Sequence, residues 1–474
     1  MEIPAFFNRF LEFERSTDIC SFRIGNYYFW DSLRFKAYYS ISETLSIYGK
    51  SQRYRRPSVF QKLKTLPEDL ISLVRILRKT SKGRGRLLIL ANARRIRDPR
   101  TGRWVDPYTD PVIDDLEVNP IVLESRIGGT HLIPAWTKDL GYYDVLKYAA
   151  SAFRMFLGLF VHLSRQERMR LLRMEKLIES EFGVRYHLVR NAVDALAWHR
   201  ALVPIYSWFL RRLRIRTLVM ICSYGKESWI EACRRCRVRT IELQHGTISQ
   251  YHPGYHYPEG TSKHCTPDEF WAFGEYWTKT ASFPVDIKLR PKFGFRYLER
   301  AVRDLSQKKD DGYLLVISQG VVGHRLSKFV VDALRFLPAE IRIGYKLHPG
   351  ERLQWEDEYP WLVEQVGRIE IIEGEEPGLY ELMGRARWQL GVSSTALYEG
   401  MRLGCRTILV ELPSVEYMDG VVASGRAVLI KTSEELARAL RDCPEPEGRM
   451  FFDQDDSLLA DLNTVGMVEA PKYG

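Results

Sequence analysis

From Arg86 onward, short apolar runs alternate with amphipathic stretches, and this alternation constrains the chain more than any other feature. "RLLIL", "PIVLE", "RTLVMI" and "RTIEL" lie in the first half of that region, and "YLLVI", "RIGYK", "WQLG" and "RTILV" in the second. Each run is too short for a helix and mostly apolar without alternation, as a strand covered on both faces is. Strands separated by helical patterns build parallel sheets through crossovers, which excludes all-α and all-β architectures. The expected fold is α/β, with two Rossmann-like doubly wound domains facing a cleft. "THLIPAW" (130–136) and "EFWAFG" (269–274) are read as further strands, and 143–212 as a long helical stretch. The charged "RYLERAVRDLSQKKDDG" (296–312) reads as a linker. This gives a helical, basic segment at 1–85, an α/β domain at 86–300 and a second at 301–474.

At 474 residues, with 45% hydrophobic and 27% charged residues, the chain is long enough for two globular domains of about 100–200 residues each. Its opening, "MEIPAFFNRFLEFERS", has early acidic residues and no basic run before an apolar core, so no secretory signal is expected. The apolar window 148–164 is broken by Arg154 and falls short of the roughly 20 residues that span a bilayer. It is read as a buried or partner-facing helix. Seven scattered cysteines suit a reducing compartment, and Cys233 and Cys236, in a helical pattern, are expected to pack rather than bind metal. The expected location is cytoplasmic.

The net charge of +10 is concentrated. Between Lys50 and Arg86, twelve Lys or Arg face only Glu68 and Asp69. There Leu66, Leu70, Leu73, Val74 and Leu77 recur at helical spacing. A basic amphipathic helix of this kind suits either a solvated face or a peripheral contact with the anionic inner face of a membrane. No nucleic-acid motif or aromatic interleaving accompanies it, so nucleic acid is not an expected partner.

Three strand ends of the second domain carry polar residues where a doubly wound sheet places its ligands. "YLLVISQG" ends on Ser318, Gln319 and Gly320; "YKLHPGE" brings Lys346, His348 and Pro349; "LGVSSTALYEG" sets Ser393, Ser394 and Thr395 before a helix carrying Glu399. Hydroxyls beside the unsatisfied first-turn amides of a helix make an anion site. Glu399 is read as reaching either a ribose hydroxyl or solvent. Neither GxGxxG spacing nor a Walker A loop is present, which weighs against dinucleotide oxidoreduction and phosphate-loop ATP hydrolysis.

In the first domain, "ELQHGTISQYHPGYHYP" (242–258) follows a strand and holds three of the ten histidines. His245 sits at the expected carboxyl edge of the sheet, where a neutral imidazole can take a proton from an acceptor hydroxyl. Glu242 either orients it or competes for the role. Tyr251 and His252 offer stacking faces and hydrogen bonds to a sugar, or decorate a surface loop. "DPYTDPVIDDLE" (106–117) is read as an acceptor-side loop, with Asp106, Asp110, Asp114 and Asp115 as rival bases. The spacing of His245, His252, His256 and His264 matches no zinc pattern, so no metal is expected.

The pair His348–Pro349 and the serines Ser393–Ser394 resemble the donor-binding motifs of bacterial glycosyltransferases of the GT-B fold that use cytidine nucleotides. These include Kdo transferases, sialyl- and polysialyltransferases, and teichoic-acid glycerophosphotransferases. The resemblance implies a GT-B type fold in which 301–474 binds a nucleotide sugar and 86–300 faces the acceptor. It assigns the nucleotide contact to His348 and the phosphate to Ser393 and Ser394. "LQHGT" is similar to the histidine–glycine element of the glycerophosphotransferases, which nominates His245 as catalytic. The carboxylate base of the sialyltransferases has no clear counterpart here. The implied activity is transfer of a sugar, best matched by CMP-linked Kdo or a nonulosonic acid, to a bacterial surface glycan such as capsule, O-antigen or lipooligosaccharide. Its partners are the nucleotide sugar and a glycan or lipid-linked glycan acceptor, with no cofactor required beyond the donor. A UDP- or GDP-sugar transferase, a CDP-glycerol-type phosphotransferase, a nucleotide-sugar epimerase and a non-catalytic scaffold stand as alternatives.

Overall fold

A computed structural model describes residues 2–47, 59–78, 86–126, 129–158, 161–305 and 309–465. After β1 (Arg86–Leu90) a small antiparallel hairpin, β2 (Ile96–Arg97) and β3 (Trp104–Val105), leaves the first sheet. Strands β4 (Ile121–Glu124), β5 (Leu140–Tyr142), β6 (Ile215–Ile221), β7 (Arg239–Leu243), β8 (Glu269–Trp271) and β9 (Lys288–Arg290) complete it. Its order is β5-β4-β1-β6-β7-β8-β9, parallel throughout, with Leu88 between Ile121 and Leu218.

The second sheet comprises β10 (Asp310–Ile317), β11 (Arg342–Lys346), β12 (Ile369–Ile372), β13 (Ala386–Gly391), β14 (Arg406–Val410) and β15 (Ala427–Ile430). It is also parallel, in the order β12-β11-β10-β13-β14-β15. In each sheet the chain builds outward from the first strand one way, then the other. The switch points therefore fall between β1 and β6 and between β10 and β13. These are two Rossmann-like doubly wound domains, the GT-B type of arrangement. The cleft between them has a mouth of about 450 Å³, lined by Arg97, Pro99 and Gly102 on one side and Gly374, Glu375 and Glu376 on the other. Helices cover both faces, which is why Leu87–Leu90 and Leu314–Ile317 are buried without alternation.

Helices Ile3–Thr17 and Phe29–Thr44 form a lobe with Arg165–Phe182 and Leu188–Arg212 around Phe6, Phe10, Trp30, Tyr38 and Phe182. Helix Arg165–Phe182 starts on a capping box of Ser164 and Glu167 and stops at Gly183, whose φ of 66° suits glycine. At the lobe's centre Arg34 donates to both oxygens of buried Glu14, at 2.7 and 2.8 Å. Arg34 also donates to the carbonyls of Pro253 and His256. The lobe thereby fixes the segment that follows His245.

Helix Arg296–Asp304 braces both domains. Arg296 and Arg300 pair with Asp115 and Asp114, while Glu299 accepts two bonds from Arg402. Near its end the chain crosses back. Helix Ser457–Thr464 buries Leu458, Leu459 and Leu462 against Leu87, Val219, Ile241 and Trp271 of the first sheet, and Asp461 pairs with Arg239 at 2.6 Å. The span 301–474 is thus not confined to the second sheet, because its last helix has an apolar face that the first sheet covers.

Other expectations are corrected locally. Residues 130–136 form bends and isolated bridges rather than a strand, and Trp104 pairs there with Ala135. The stretch 143–212 divides into helices Asp144–Gly158, Arg165–Phe182 and Leu188–Arg212. Cys233 and Cys236 are buried at the helix Glu227–Arg235, and all seven cysteines are free thiols. Of the basic segment 50–86, residues 50–58 and 79–85 lie outside the described residues. Among the described residues no helix is long and apolar enough to cross a membrane.

Candidate functional site

The loops that end β10, β11 and β13 adjoin because these strands are neighbours in the second sheet. Gln319 closes the switch point: its Oε1 accepts from the Ser393 amide at 2.9 Å, and its Nε2 lies 3.5 Å from the Ser393 hydroxyl. Gly320 lies against His348, since a Cβ at 320 would meet the imidazole Nδ1 at 3.4 Å. His348 and Pro349 are exposed beyond β11. The His348 amide donates to Glu351 at 2.7 Å, and Nδ1 accepts from the Gly350 amide at 3.1 Å. With Nδ1 an acceptor, the network assigns the proton of the neutral ring to Nε2, making it a donor. Although the residue is exposed at its edge, desolvation of the ring against the turn lowers the His348 pKa below its ordinary value, with Glu351 opposing and Arg352 adding to the shift.

Ser394 is the N-cap of helix Thr395–Arg402, its Oγ accepting from the Ala396 amide at 3.2 Å. Two residues read as ligand contacts are spent elsewhere. Ser318 is buried, and its hydroxyl donates to Glu351 at 2.9 Å and lies 3.1 Å from the Tyr345 hydroxyl, so it supports the His348 turn from below. Lys346 is buried and donates to the Gly374 carbonyl, tying the ends of β11 and β12 together. Glu399 is half-buried, and desolvation pushes its carboxyl up to about 7, with a Tyr380 hydrogen bond opposing. After desolvation, its charge also raises the pKa of Tyr108 in the first domain.

In the first domain His245 follows β7 and sits between two tyrosines. The Tyr224 hydroxyl lies 3.1 Å from Nε2 and the Tyr255 hydroxyl 3.3 Å from Nδ1. Tyr255 donates to Glu242 at 2.8 Å, and Glu242, which is buried, also accepts from the Ser223 amide at 2.9 Å. Because the Tyr255 proton is committed to Glu242, its oxygen accepts from Nδ1–H, and Nε2 is left as the basic nitrogen. Burial lowers the His245 pKa to about 3, with His252, Lys226 and Arg94 adding to it. The imidazole is therefore neutral in ordinary buffers. Glu242 reaches His245 through the Tyr255 hydroxyl, which lies between the two. Gly254 makes room for this arrangement, since a Cβ there would stand 2.6 Å from the Tyr224 ring.

The acceptor-side residues are corrected. Asp106 and Asp110 are fully buried, and their loop contains the helix Asp110–Asp115. Arg95 pairs with Asp110 and Glu124 at 3.0 Å each, while Asp106 accepts from the Asn92 amide at 2.7 Å. These carboxylates hold the loop after β1 and do not face an acceptor. Asp114 and Asp115 are taken by Arg300 and Arg296. His252 Nδ1 accepts from the Gly254 amide at 3.0 Å, and Tyr251 lies between Phe7 and Tyr417. Both support the His245 segment.

The two halves meet at their motifs. The Thr247 amide donates to Thr395 Oγ1 at 3.1 Å, and the two hydroxyl oxygens are 3.0 Å apart. The histidine–glycine turn thus rests on the helix start that Ser393 and Ser394 open. No motif marks Tyr224, Arg94 or Lys226 in the sequence; Thr247 ends "LQHGT" without a role assigned to it, and Tyr255 lies among the tyrosines of "YHPGYHY".

No protein-family model matches the sequence, and no curated protein matches it significantly. Among solved structures, it is similar to UDP-GlcNAc 2-epimerase from Methanocaldococcus jannaschii, with a TM-score of 0.48 and 11% identity over 81% of this chain and 99% of that one. MurG from Acinetobacter baumannii gives 0.39 and 11% over 58% and 80%. UGT71G1 from Medicago truncatula, complexed with UDP-glucose, gives 0.40 and 10% over 81% and 93%.

Proposed function

We propose that the protein is a glycosyltransferase that moves a sugar from a nucleotide donor, held by the second domain, to an acceptor hydroxyl at His245. The observation that carries this reading is the Thr247–Thr395 contact, which sets a neutral imidazole turn against a helix start suited to phosphate. In the reaction His245 Nε2 takes the acceptor proton, with Tyr224 yielding its place. The acceptor oxygen bonds to the anomeric carbon, and the carbon–oxygen bond to phosphate breaks with its electron pair leaving on the nucleotide. The helix Thr395–Arg402 and the Nε2–H of His348 oppose the charge that gathers on the phosphate. Glu399, its carboxyl pushed up to about 7 by burial, adds little repulsion below neutral pH. The pairing of His348–Pro349 with Ser393–Ser394 favours a cytidine donor, CMP-linked Kdo or a nonulosonic acid, and a bacterial surface glycan as acceptor.

A lipid-linked acceptor is supported by one surface. Helix Val59–Arg78 exposes Leu70, Ile71 (70%) and Val74, and the helix Asp144–Gly158 beside it exposes Phe153 (56%) and Met155 (73%). Arg75 and Arg78 flank them, and a recess of about 470 Å³ lined by Ile71, Arg75, Arg103, Ile133 and Lys138 adjoins. Apolar side chains ringed by cations suit an anionic membrane surface.

The donor assignment is tested by thermal shift against CMP, CDP, UDP and GDP. Stabilisation by CMP or CDP that is lost in His348→Ala and in Ser393→Ala/Ser394→Ala is expected. A response to UDP or GDP alone would replace the donor, and no response to any nucleotide would overturn the reading.

A further inference from the structure

Beside the loop that joins β4 to β5, three elements bring two buried carboxylates and an imidazole together. We propose that Asp69, His131 and Asp144 bind one divalent transition-metal ion, with zinc as the probe of choice. Asp69 comes from helix Val59–Arg78, His131 from the loop after β4, and Asp144 from the first turn of helix Asp144–Gly158. Their ligand atoms lie within 4.8 Å of one another.

The distances fit an ion better than a hydrogen bond. His131 Nε2 is 3.8 Å from Asp69 Oδ1 and 3.8 Å from Asp144 Oδ2, too far for a bond to either. Donors bound to zinc at about 2.0–2.2 Å in a tetrahedron stand roughly 3.4 Å apart, so a contraction of a few tenths of an ångström brings His131 to ligand spacing with each carboxylate. Two of its atoms lack partners: His131 Nε2 and Asp69 Oδ2 are buried with no hydrogen bond, on side chains 3% and 0% exposed. Leaving such atoms unsatisfied costs free energy that a metal would recover.

The surroundings orient the ligands. His131 Nδ1 lies 2.8 Å from Glu124 Oε1, and Glu124 is itself held by Arg95. A carboxylate on the far ring nitrogen of a ligating histidine fixes the tautomer and turns the other lone pair toward the ion. The ring stacks on Tyr142 with centroids 3.5 Å apart. Asp144 is aimed by the Ser125 hydroxyl at 2.8 Å and by the Arg126 amide, and Arg126 also pairs with Asp69. One imidazole and two carboxylates suit zinc or manganese, with water completing the shell. The other candidate group, Glu231, His264 and Cys265, is already satisfied, since His264 Nε2 donates to Glu231 at 3.1 Å and Nδ1 accepts from Arg234 at 2.5 Å. The ion would fasten two surface helices to the end of β4, a role independent of the donor reading.

Full-length protein stripped with a chelator and titrated separately with ZnCl₂ and MnCl₂ by calorimetry tests this, alongside metal analysis of the purified protein. One equivalent per chain and a raised Tm are expected. Affinity should fall by more than about 100-fold in His131→Gln and Asp144→Asn, and by about 10–100-fold in Glu124→Gln, which leaves all three ligands in place. Circular dichroism of the metal-free variants separates lost ligation from lost folding. No stoichiometric binding of either ion, or variants that bind as the wild type does, would overturn the proposal.

Discussion

Thr247 and Thr395 hold their hydroxyls 3.0 Å apart, although one follows the first sheet and the other opens a helix on the second. Thr247→Val should cost about 0.5–1.5 kcal/mol and Thr395→Val more, since it also removes the acceptor of the Thr247 amide, with the double variant little worse than Thr395→Val alone. Urea unfolding of the four proteins measures this; fully additive losses would show that the threonines are not coupled.

His245→Gln should lower transfer by about 10²–10⁴-fold while the melting temperature stays close to wild type. Tyr255→Phe should give a smaller loss, since it severs Glu242 from the imidazole without removing the base. Steady-state assays with a CMP-sugar and an oligosaccharide acceptor report both, and equal losses would move Tyr255 into the chemistry itself.

Acid should destabilise the fold through its histidines. Burial lowers His245 from 6.5 to about 3, and His199, His252 and His256 from 6.5 to about 4. The unfolded chain therefore binds more protons than the native one below about 6.5. Their contribution is present above 6.5 and lost as the pH falls toward 4. Tm measured from pH 7 to 4 should decline, and His252→Gln should flatten the decline.

Glu399 works in the opposite sense. Its carboxyl, raised to about 7, becomes an anion as the pH rises past neutrality. Nucleotide affinity should then weaken between pH 6 and 8 in the wild type and stay level in Glu399→Gln. Calorimetric titration with CMP at several pH values checks this.

Flotation with vesicles should show the protein on anionic but not zwitterionic lipid, with binding reduced by salt. Ile71→Asp and Met155→Asp, both at exposed sites, should abolish it without changing Tm. Equal binding to both lipid types would contradict a role for Arg75 and Arg78.

The sheets were legible because parallel strands announce themselves as unbroken apolar runs; "RTIEL" and "YLLVI" needed no partner to be recognised. His348, Ser393 and His245 were legible as residues at strand ends. The burial of Asp106 and Asp110 is not legible in the sequence, since it depends on Arg95, and nothing local distinguishes a carboxylate paired inside the protein from one facing solvent. Lys346 and Ser318 failed for the same reason, having partners, Gly374 and Glu351, that only folding supplies. Asp69, His131 and Asp144 are separated along the chain by strands and helices, so no spacing rule could join them.

The chain passes between the two sheets twice, once around Arg296–Asp304 and once before Ser457–Thr464, and both crossings are anchored on the first sheet's side. Two attachment points define an axis. An opening of the cleft about that axis would part Thr247 from Thr395 as the leaves of a door part. Cutting the chain ahead of Ser457 would remove one hinge pin and leave the other half to twist as well as swing.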